Sequence, residues 1–276
     1  MKHFLVAFDF SKNALHTLEY AIIFANKMEA DLSLVWVDNT STPDHLYNID
    51  QDLRIETKTH FDEVIEKYEP LVHHGKINPF LRKGKVNTEV SSVARTINAN
   101  LIFAGTHGTS GYEEFWIGSN AYRIVASAPC PVISLRLGYA IDSQLKKILL
   151  PIDNSADTKH KLPYAAKIAK AFDAEIHILL MQSSPISVIR NRMKNYGIET
   201  SKFLENEGVR YVFSELEVEN VTSSILHYTE ANQIDLIAMM TEQGGPTSSM
   251  LLGPYAQQLI NNAPVPVLSV QSVNNV

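Results

Sequence analysis

Cysteine, excess positive charge and long hydrophobic runs are scarce or absent in this sequence. Cys130 is the only cysteine among 276 residues, which excludes an intrachain disulfide and argues against a thiolate metal cluster. The formal net charge of −6 at pH 7 argues against binding to nucleic acid or an anionic membrane, because both require a basic surface. No apolar run approaches the roughly 18 residues of a membrane-spanning helix.

A secretion signal is also missing. The first ten residues, MKHFLVAFDF, contain Asp9 and no small-residue cleavage site. We therefore expect a cytoplasmic protein. The length predicts about two domains, and a hydrophobic content of 45% is sufficient for ordinary cores.

What the chain does have is an internal repeat. VAFDFS at 6–11 resembles LPIDNS at 150–155, a shift of 144 residues. APCPVISL at 128–135 resembles APVPVLSV at 263–270, a shift of 135, so the second copy is nine residues shorter in its middle. Repeats of this length indicate a duplicated domain.

The duplication predicts two tandem domains, 1–138 and 145–276, joined by the polar segment LGYAIDSQ. Each copy alternates apolar strand patterns with amphipathic helix patterns, which predicts an α/β fold with a parallel sheet and right-handed crossovers. In the first copy Ser11 is the expected N-cap of the first helix. The other expected elements of that copy are strands 3–8, 32–37, 77–82, 101–105 and 132–136 and helices 50–72, 88–98 and 119–127.

The segment GTHGTSGYEEFWIGSN, residues 105–120, is unusually rich in glycine. Gly105 ends the fourth predicted strand and Ser119 opens the next helix, so the segment joins a strand's carboxyl end to a helix's amino end. Free backbone N–H groups and the helix dipole favour an anion there. Glycines let the backbone approach a phosphate closely, although a plain turn before a capped helix has the same pattern.

The spacing Gly105-x2-Gly108-x9-Gly118-Ser119 resembles the signature of ATP-binding members of the universal stress protein family. The resemblance extends over essentially the whole chain, as two such domains in tandem. It implies an α/β fold of two open five-stranded parallel-sheet domains with strand order 3-2-1-4-5, Rossmann-like and similar to the adenine nucleotide alpha hydrolases. It also implies that the domains pair through their last strands, forming an internal pseudo-dimer.

The same resemblance implies a nucleotide site in the first domain. Asp9 and Ser11 correspond to residues near the nucleoside, and Trp36 and Val37 lie where backbone groups meet the adenine. The ribose and phosphate cradle would comprise Gly105, His107, Gly108, Gly118, Ser119 and Asn120. The implied ligand is ATP, with Mg²⁺ left open. His107 could bond a phosphate or act as an acid–base group, or it could only stabilise the loop.

One departure from the family pattern concerns charge. Residues 105–122 contain no Lys or Arg, whereas Glu113 and Glu114 lie inside the loop. Acidic side chains near a triphosphate weaken binding unless they point into solvent or a magnesium ion intervenes. Solvated glutamates are the expected arrangement.

The second copy departs further. Met240 and Gln243 replace Gly105 and Gly108, and Pro254 replaces Ser119, while Gly253 is retained. Side chains at the first two positions would occupy the space of a phosphate, so no nucleotide is expected in the second domain, which would be a structural partner or a site for another ligand. The alternative is a loop rebuilt by Gly244 and Gly245 in a shifted register. Asp153 is the counterpart of Asp9, and we expect it to cap a helix.

The sequence thus predicts a stress-response protein that binds an adenine nucleotide in its first domain and acts in sensing or regulation. It offers no nucleophile, base and orienter as a set and no metal cluster, so neither catalysis nor a protein metal site is expected. A slow ATPase using His107 or Asp9, and a nucleotide-free interaction module, remain the alternatives. Strands Val132–Leu135 and Val267–Val270 are the expected pairing edges, with a homodimer left open.

Overall fold

The computed structural model describes residues 2–39, 47–106, 118–142, 144–241 and 252–271. In these ranges strands and helices alternate along the chain, as the sequence predicts. The strands are β1 (Lys2–Ala7), β2 (Ala30–Asp38), β3 (Ile77–Lys83), β4 (Leu101–Gly105), β5 (Val132–Leu135), β6 (Lys147–Ile152), β7 (Glu175–Gln182), β8 (Tyr211–Glu217), β9 (Leu236–Thr241) and β10 (Val267–Gln271). The helices are α1 (Lys12–Met28), α2 (Tyr47–Tyr68), α3 (Val86–Thr96), α4 (Ser119–Ser127), α5 (Leu162–Phe172), α6 (Ser187–Asn206), α7 (Val221–Ala231) and α8 (Pro254–Asn262), with 3-10 helices at Glu69–Leu71 and Ala156–Lys159.

All ten strands belong to one sheet, in the order β3-β2-β1-β4-β5-β10-β9-β6-β7-β8. Each half of this order is the predicted 3-2-1-4-5 arrangement, and within each half the strands are parallel. At the centre β5 and β10 pair antiparallel, with Leu268 opposite Ile133. The predicted fold of two tandem doubly wound domains is therefore confirmed.

Helices cover both faces of the sheet. One apolar layer contains buried residues of α1, α2, α5 and α6, and the other contains buried residues of α3, α4, α7 and α8. Because both faces are covered, the central strands are apolar at nearly every position; β4 and β5, for example, are almost wholly buried. The described residues contain no helix that is long and apolar enough to cross a membrane.

Several predicted element ends are shifted by a few residues. The helix expected at 50–72 is Tyr47–Tyr68 followed by a 3-10 turn at Pro70, and the helix expected at 88–98 is Val86–Thr96. The strand expected at 132–136 ends at Leu135, so that Arg136 lies beyond the end of the sheet. Element ends depend on local caps, which periodicity does not record.

The two halves also contact each other through their first helices. Phe24 of α1 and Phe172 of α5 lie with ring centroids 4.7 Å apart, and Tyr20 of α1 contacts Tyr139 of the connecting segment at 6.0 Å. The apolar layer on this face therefore runs without interruption from one half into the other. The domain bounds at 138 and 145 stay a prediction.

Candidate functional site

The first half places several of its predicted site residues at one edge of the sheet. β1 and β4 are neighbours, with Ala7 opposite Ala104, so that Asp9 and Gly105 both lie at the strands' carboxyl ends. This is the point where the strand order reverses, and open α/β sheets bind ligands at such a point.

The turn after β1 fixes Asp9 and Ser11. Oδ1 of Asp9 accepts a hydrogen bond from Ser11 N at 3.0 Å, while the side chain of Asp9 stays exposed. Oγ of Ser11 accepts from Ala14 N at 3.1 Å, which is the predicted N-cap of α1. The serine proton remains able to donate, because a hydroxyl carries one donor besides its acceptor lone pairs.

Phe10 holds this turn in an uncommon conformation. Its φ of 60° lies in the left-handed region, which bulky residues rarely adopt. The ring packs edge-on against Phe8 and Phe61, each with centroids 5.0 Å away. Aromatic packing therefore stabilises a strained backbone between Asp9 and Ser11, the two candidate nucleotide-binding residues of this turn. Strain of this kind is frequent at functional sites.

Trp36 and Val37 lie near the end of β2, as the sequence predicts. In the register Trp36 is opposite Leu81 and Val37 is opposite Arg82 of β3. The two side chains are half-buried and pack on opposite faces of the sheet, Trp36 with the α1 layer and Val37 with the α3 layer. Their side chains are thus committed to packing.

The amino end of α4 lies at the same edge. Gly118 is its N-cap, with no side-chain hydrogen bond to the helix, and Gly118 N donates to Thr106 O at 2.6 Å. Ser119 and Asn120 in the first turn are exposed. A first turn without a side-chain cap presents N–H groups and the positive end of the helix dipole to whatever lies beyond β4. His107 and Gly108 lie outside the described residues.

Gly105 has a structural role that the sequence alone did not indicate. A Cβ atom at this position would lie 2.7 Å from Nδ2 of Asn13 and 3.2 Å from Oγ1 of Thr17. Both residues belong to α1 and are buried. The missing side chain therefore lets the first turns of α1 pack directly against the end of β4.

Arg136 is a candidate that the sequence reading overlooked. It follows β5 directly, and the preceding residue, Leu135, accepts a hydrogen bond from Thr106 N at 2.9 Å. Half-buried Arg136 thus follows the carboxyl end of β5, next to the end of β4, whereas residues 105–120 contain no Lys or Arg. The sequence does contain a signal for Arg136, because a charged residue directly after a buried parallel strand lies at the carboxyl edge of the sheet.

The second half has a different edge. Gly253 is again an N-cap, of α8, and Pro254 is the first helical residue, while Gln243 lies outside the described residues. Asp153 does not cap α5, contrary to expectation, because α5 begins only at Leu162. Instead Oδ1 of Asp153 accepts from Ser155 N at 2.8 Å, ahead of the 3-10 helix Ala156–Lys159.

The part of the chain that the structure describes offers neither a metal cluster nor an activated thiol. Among the described residues, no group of three or more His, Cys, Asp or Glu side chains is placed to hold a metal ion. Cys130 precedes β5, and burial raises the pKa of its thiol to about 12. The thiol is therefore neutral at pH 7 and a poor nucleophile.

Comparison with known proteins decides the family. The model of the universal stress protein family matches the chain twice, at residues 1–136 and 144–271. The chain belongs to the universal stress protein family. A universal stress protein of Methanocaldococcus jannaschii is 31% identical over 140 residues, which cover 46% of this chain and 82% of that protein.

Solved structures agree on the fold. The chain resembles a universal stress protein from Archaeoglobus fulgidus DSM 4304 with a TM-score of 0.81 and 19% identity over 98% of both chains. A protein of unknown function from Pseudomonas aeruginosa PAO1 gives a TM-score of 0.65 at 16% identity, covering 99% of this chain and 93% of that one. Both belong to the tandem architecture, since each covers nearly the full length of this chain.

Proposed function

We propose that the first half of this universal stress protein binds an adenine nucleotide, ATP with or without Mg²⁺, and that the bound nucleotide regulates the protein's interactions. The observation that carries the proposal is the arrangement at the β1–β4 edge. An exposed carboxylate, Asp9, and the uncapped amino end of α4 flank the point where the strand order reverses.

Each group has a chemical task in this proposal. Asp9 accepts hydrogen bonds from the nucleoside, and backbone groups of Trp36 and Val37 contact the adenine. The α4 amides, with the hydroxyl of Ser119 and the side chain of Asn120, bind phosphate oxygens. The glycines at 105, 108 and 118 and His107 complete the cradle, and Arg136 supplies positive charge at its border.

The start of α4 is compatible with a bound phosphate. A serine, threonine or aspartate at the N-cap would satisfy first-turn N–H groups with its own side chain. Here the N-cap is Gly118, and Ser119 and Asn120 are exposed one residue further along. In this proposal the first-turn N–H groups and the side chains of Ser119 and Asn120 donate to phosphate oxygens.

Helix α4 connects the proposed nucleotide site to the second half of the molecule. Leu252 N, in the second half, donates a hydrogen bond to the hydroxyl of Tyr122 at 3.0 Å. Nε2 of Gln271 donates to Val125 O at 2.9 Å. A ligand that orders the first turn of α4 therefore acts on a helix whose body is bonded to the other half, which favours a sensing role.

Asn120→Asp separates phosphate binding from a plain helix start. The added negative charge should weaken MgATP binding by about tenfold or more, because it lies among the phosphate donors. In a helix without a ligand the same charge is stabilising by about 0.3–1 kcal/mol through the dipole. Calorimetric titration and chemical denaturation measure the two effects separately.

The matched control is Tyr255→Asp, at the equivalent position of α8 in the second half, where the side chain is exposed. It should leave MgATP affinity unchanged. Absence of MgATP binding by the wild-type protein, with no nucleotide found by mass spectrometry of unheated protein, would favour the interaction module. Steady-state phosphate release that is lost in His107→Ala would favour the slow ATPase.

Tyr122→Phe tests the route through α4. Removing the hydroxyl leaves the N–H of the buried Leu252 without this acceptor, and we expect a loss of about 1–3 kcal/mol in unfolding free energy. We also expect ATP to stop protecting residues 252–262 from hydrogen exchange. Tyr164→Phe, on α5, is the control. Protection that persists in Tyr122→Phe would contradict the route.

A further inference from the structure

The second half contains a buried lysine at the point where the first half presents its candidate site. Lys161 is 1% exposed, and its Nζ donates to Oγ1 of Thr158 at 3.0 Å. The same Oγ1 accepts from the backbone N of Asp153 at 3.3 Å, and Asp153 directly follows β6. The ammonium group therefore lies at the carboxyl end of β6.

The two halves can be compared position by position, because their central strands have the same register. Phe4 is opposite Leu101 in the first half, and the equivalent residues Ile148 and Leu236 are opposite each other in the second. With these shifts Lys161 is the counterpart of Thr17. The switch point of the second half thus carries a buried charge at a position where the first half has a neutral hydroxyl.

The neighbouring helix start differs as well. In the first half, Gly105 allows α1 to begin at Lys12 and to pack against β4. Its counterpart Met240 is a buried side chain of β9, and the residues beside β9 form the 3-10 helix Ala156–Lys159. The α-helix of the second half starts later, directly after Lys161, with Pro163 in its first turn.

A buried ammonium needs a countercharge, since removing it from water is expensive. Among the described residues, Asp153 is the charged group that acts on Lys161. Burial lowers the pKa of Lys161 and the Asp153 carboxylate raises it, and burial is the larger effect.

We propose that Lys161 is a built-in occupant of the second half's switch point: its buried ammonium is linked through Thr158 to the backbone of Asp153, and the Asp153 carboxylate balances its charge instead of binding a ligand. Asp153 is the counterpart of Asp9. In the first half the carboxylate would bind the nucleoside, whereas in the second half it balances the charge of Lys161. Only the contrast with Asp9 rests on the proposed nucleotide binding. Lys161 is then the residue that distinguishes the switch point of the second half from that of the first.

Matched substitutions test this proposal. Asp9→Asn and Asp153→Asn each remove one charge, and both keep the side-chain oxygen that accepts from Ser11 N or Ser155 N. We expect Asp153→Asn to lower the folding equilibrium constant at pH 7 by roughly tenfold or more, because a buried ammonium loses its countercharge. Asp9→Asn should change it little, because Thr17 carries no charge.

The decisive step repeats Asp153→Asn in the Lys161→Met background. There the carboxylate has no ammonium to balance, so the loss of stability should disappear. A variant Asp153→Asn that fails to fold, but folds again with Lys161→Met, gives the same result. Equal effects in both backgrounds, or equal effects of Asp9→Asn and Asp153→Asn, would overturn the proposal.

A spectroscopic reading is independent of stability. In lysine-labelled protein, the NMR titration midpoint of the Lys161 side chain should move to lower pH in Asp153→Asn and stay in place in Asp9→Asn. An unmoved midpoint would count against the pairing. MgATP titration of the same variants addresses the proposed function separately: failure of wild-type binding would remove that function and leave the stability and NMR results to decide the role of Lys161.

Discussion

Lys161→Met is expected to raise the free energy of unfolding by about 3 kcal/mol at pH 7. The pKa of Lys161 falls from 10.5 to about 8 in the folded protein, mainly through burial. Each unit of such a shift corresponds to about 1.4 kcal/mol. Methionine has a similar shape and no charge, so it removes the unfavourable burial of the ammonium and retains most of the packing.

The pH dependence has a definite sign. The folded state binds fewer protons than the unfolded state between pH 8 and 10.5, so the wild-type protein gains stability from this group as pH rises through that window. The advantage of Lys161→Met should therefore be largest below pH 8 and vanish by about pH 10.5. Burial raises the pKa of Tyr139 to about 12 and that of Cys130 to about 12, but both groups are present in both proteins and cancel in the difference.

Denaturant titrations at several pH values measure this difference. Lys167→Met is the control, because Lys167 is an exposed lysine of α5. It should show no pH-dependent difference from the wild type. A Lys161→Met protein that is less stable than the wild type at pH 7 would mean that the Asp153–Lys161 pair outweighs the burial of the ammonium.

The sequence predicted the fold because the patterns that specify it are long and repeated. Runs such as LIFAG at 101–105 are apolar at almost every position, which is typical of strands covered on both faces. The same runs recur at fixed shifts, so the assignment of a strand in one copy supports the assignment of its counterpart in the other. The pairing of the two last strands was expected from the family resemblance and from the need to cover two short edge strands, whereas its antiparallel direction is seen only in the structure.

The differences between the halves were harder to predict, because they arise from contacts between residues distant in sequence. Gly105 was assigned to phosphate binding from its neighbours in the chain, while its contact with Asn13 spans two elements. The 3-10 helix that precedes α5 contacts β9, some eighty residues further along. A lysine reads as a surface residue in a sequence, and only the folded structure shows Lys161 to be buried.

Gly105→Ala is expected to destabilise the first half at the contact between β4 and α1. The new Cβ would approach Nδ2 of Asn13 to 2.7 Å and its Cγ to 2.9 Å, distances that real Cβ atoms do not tolerate. Asn13 is buried, so its amide cannot turn into solvent. Overpacking of this kind typically costs about 1–3 kcal/mol, and we expect a loss of that size in unfolding free energy.

The same change should reduce ATP affinity, because Gly105 belongs to the proposed cradle and because the change displaces α1, while the phosphate donors of α4 stay unaltered. A shifted α1 carries Ser11 with it, and Ser11 N is bonded to the Asp9 carboxylate. We expect a weakening of about tenfold, which corresponds to roughly 1.4 kcal/mol of lost interaction. Calorimetric titration with MgATP measures it, and the Asn120→Asp protein gives the comparison for direct loss of phosphate binding.

Asn13→Ala provides the compensating change. Truncating the amide removes both atoms that a Cβ at position 105 would meet most closely, leaving Oγ1 of Thr17 at 3.2 Å as the nearest contact. The double variant Asn13→Ala/Gly105→Ala should therefore be more stable than the sum of the two single effects, and it should recover part of the ATP affinity. Strict additivity in stability would show that Gly105 is required for the loop that follows it and not for the approach of α1. Residues in contact normally couple by about 0.5–3 kcal/mol, so a double-mutant cycle has the resolution to distinguish these outcomes.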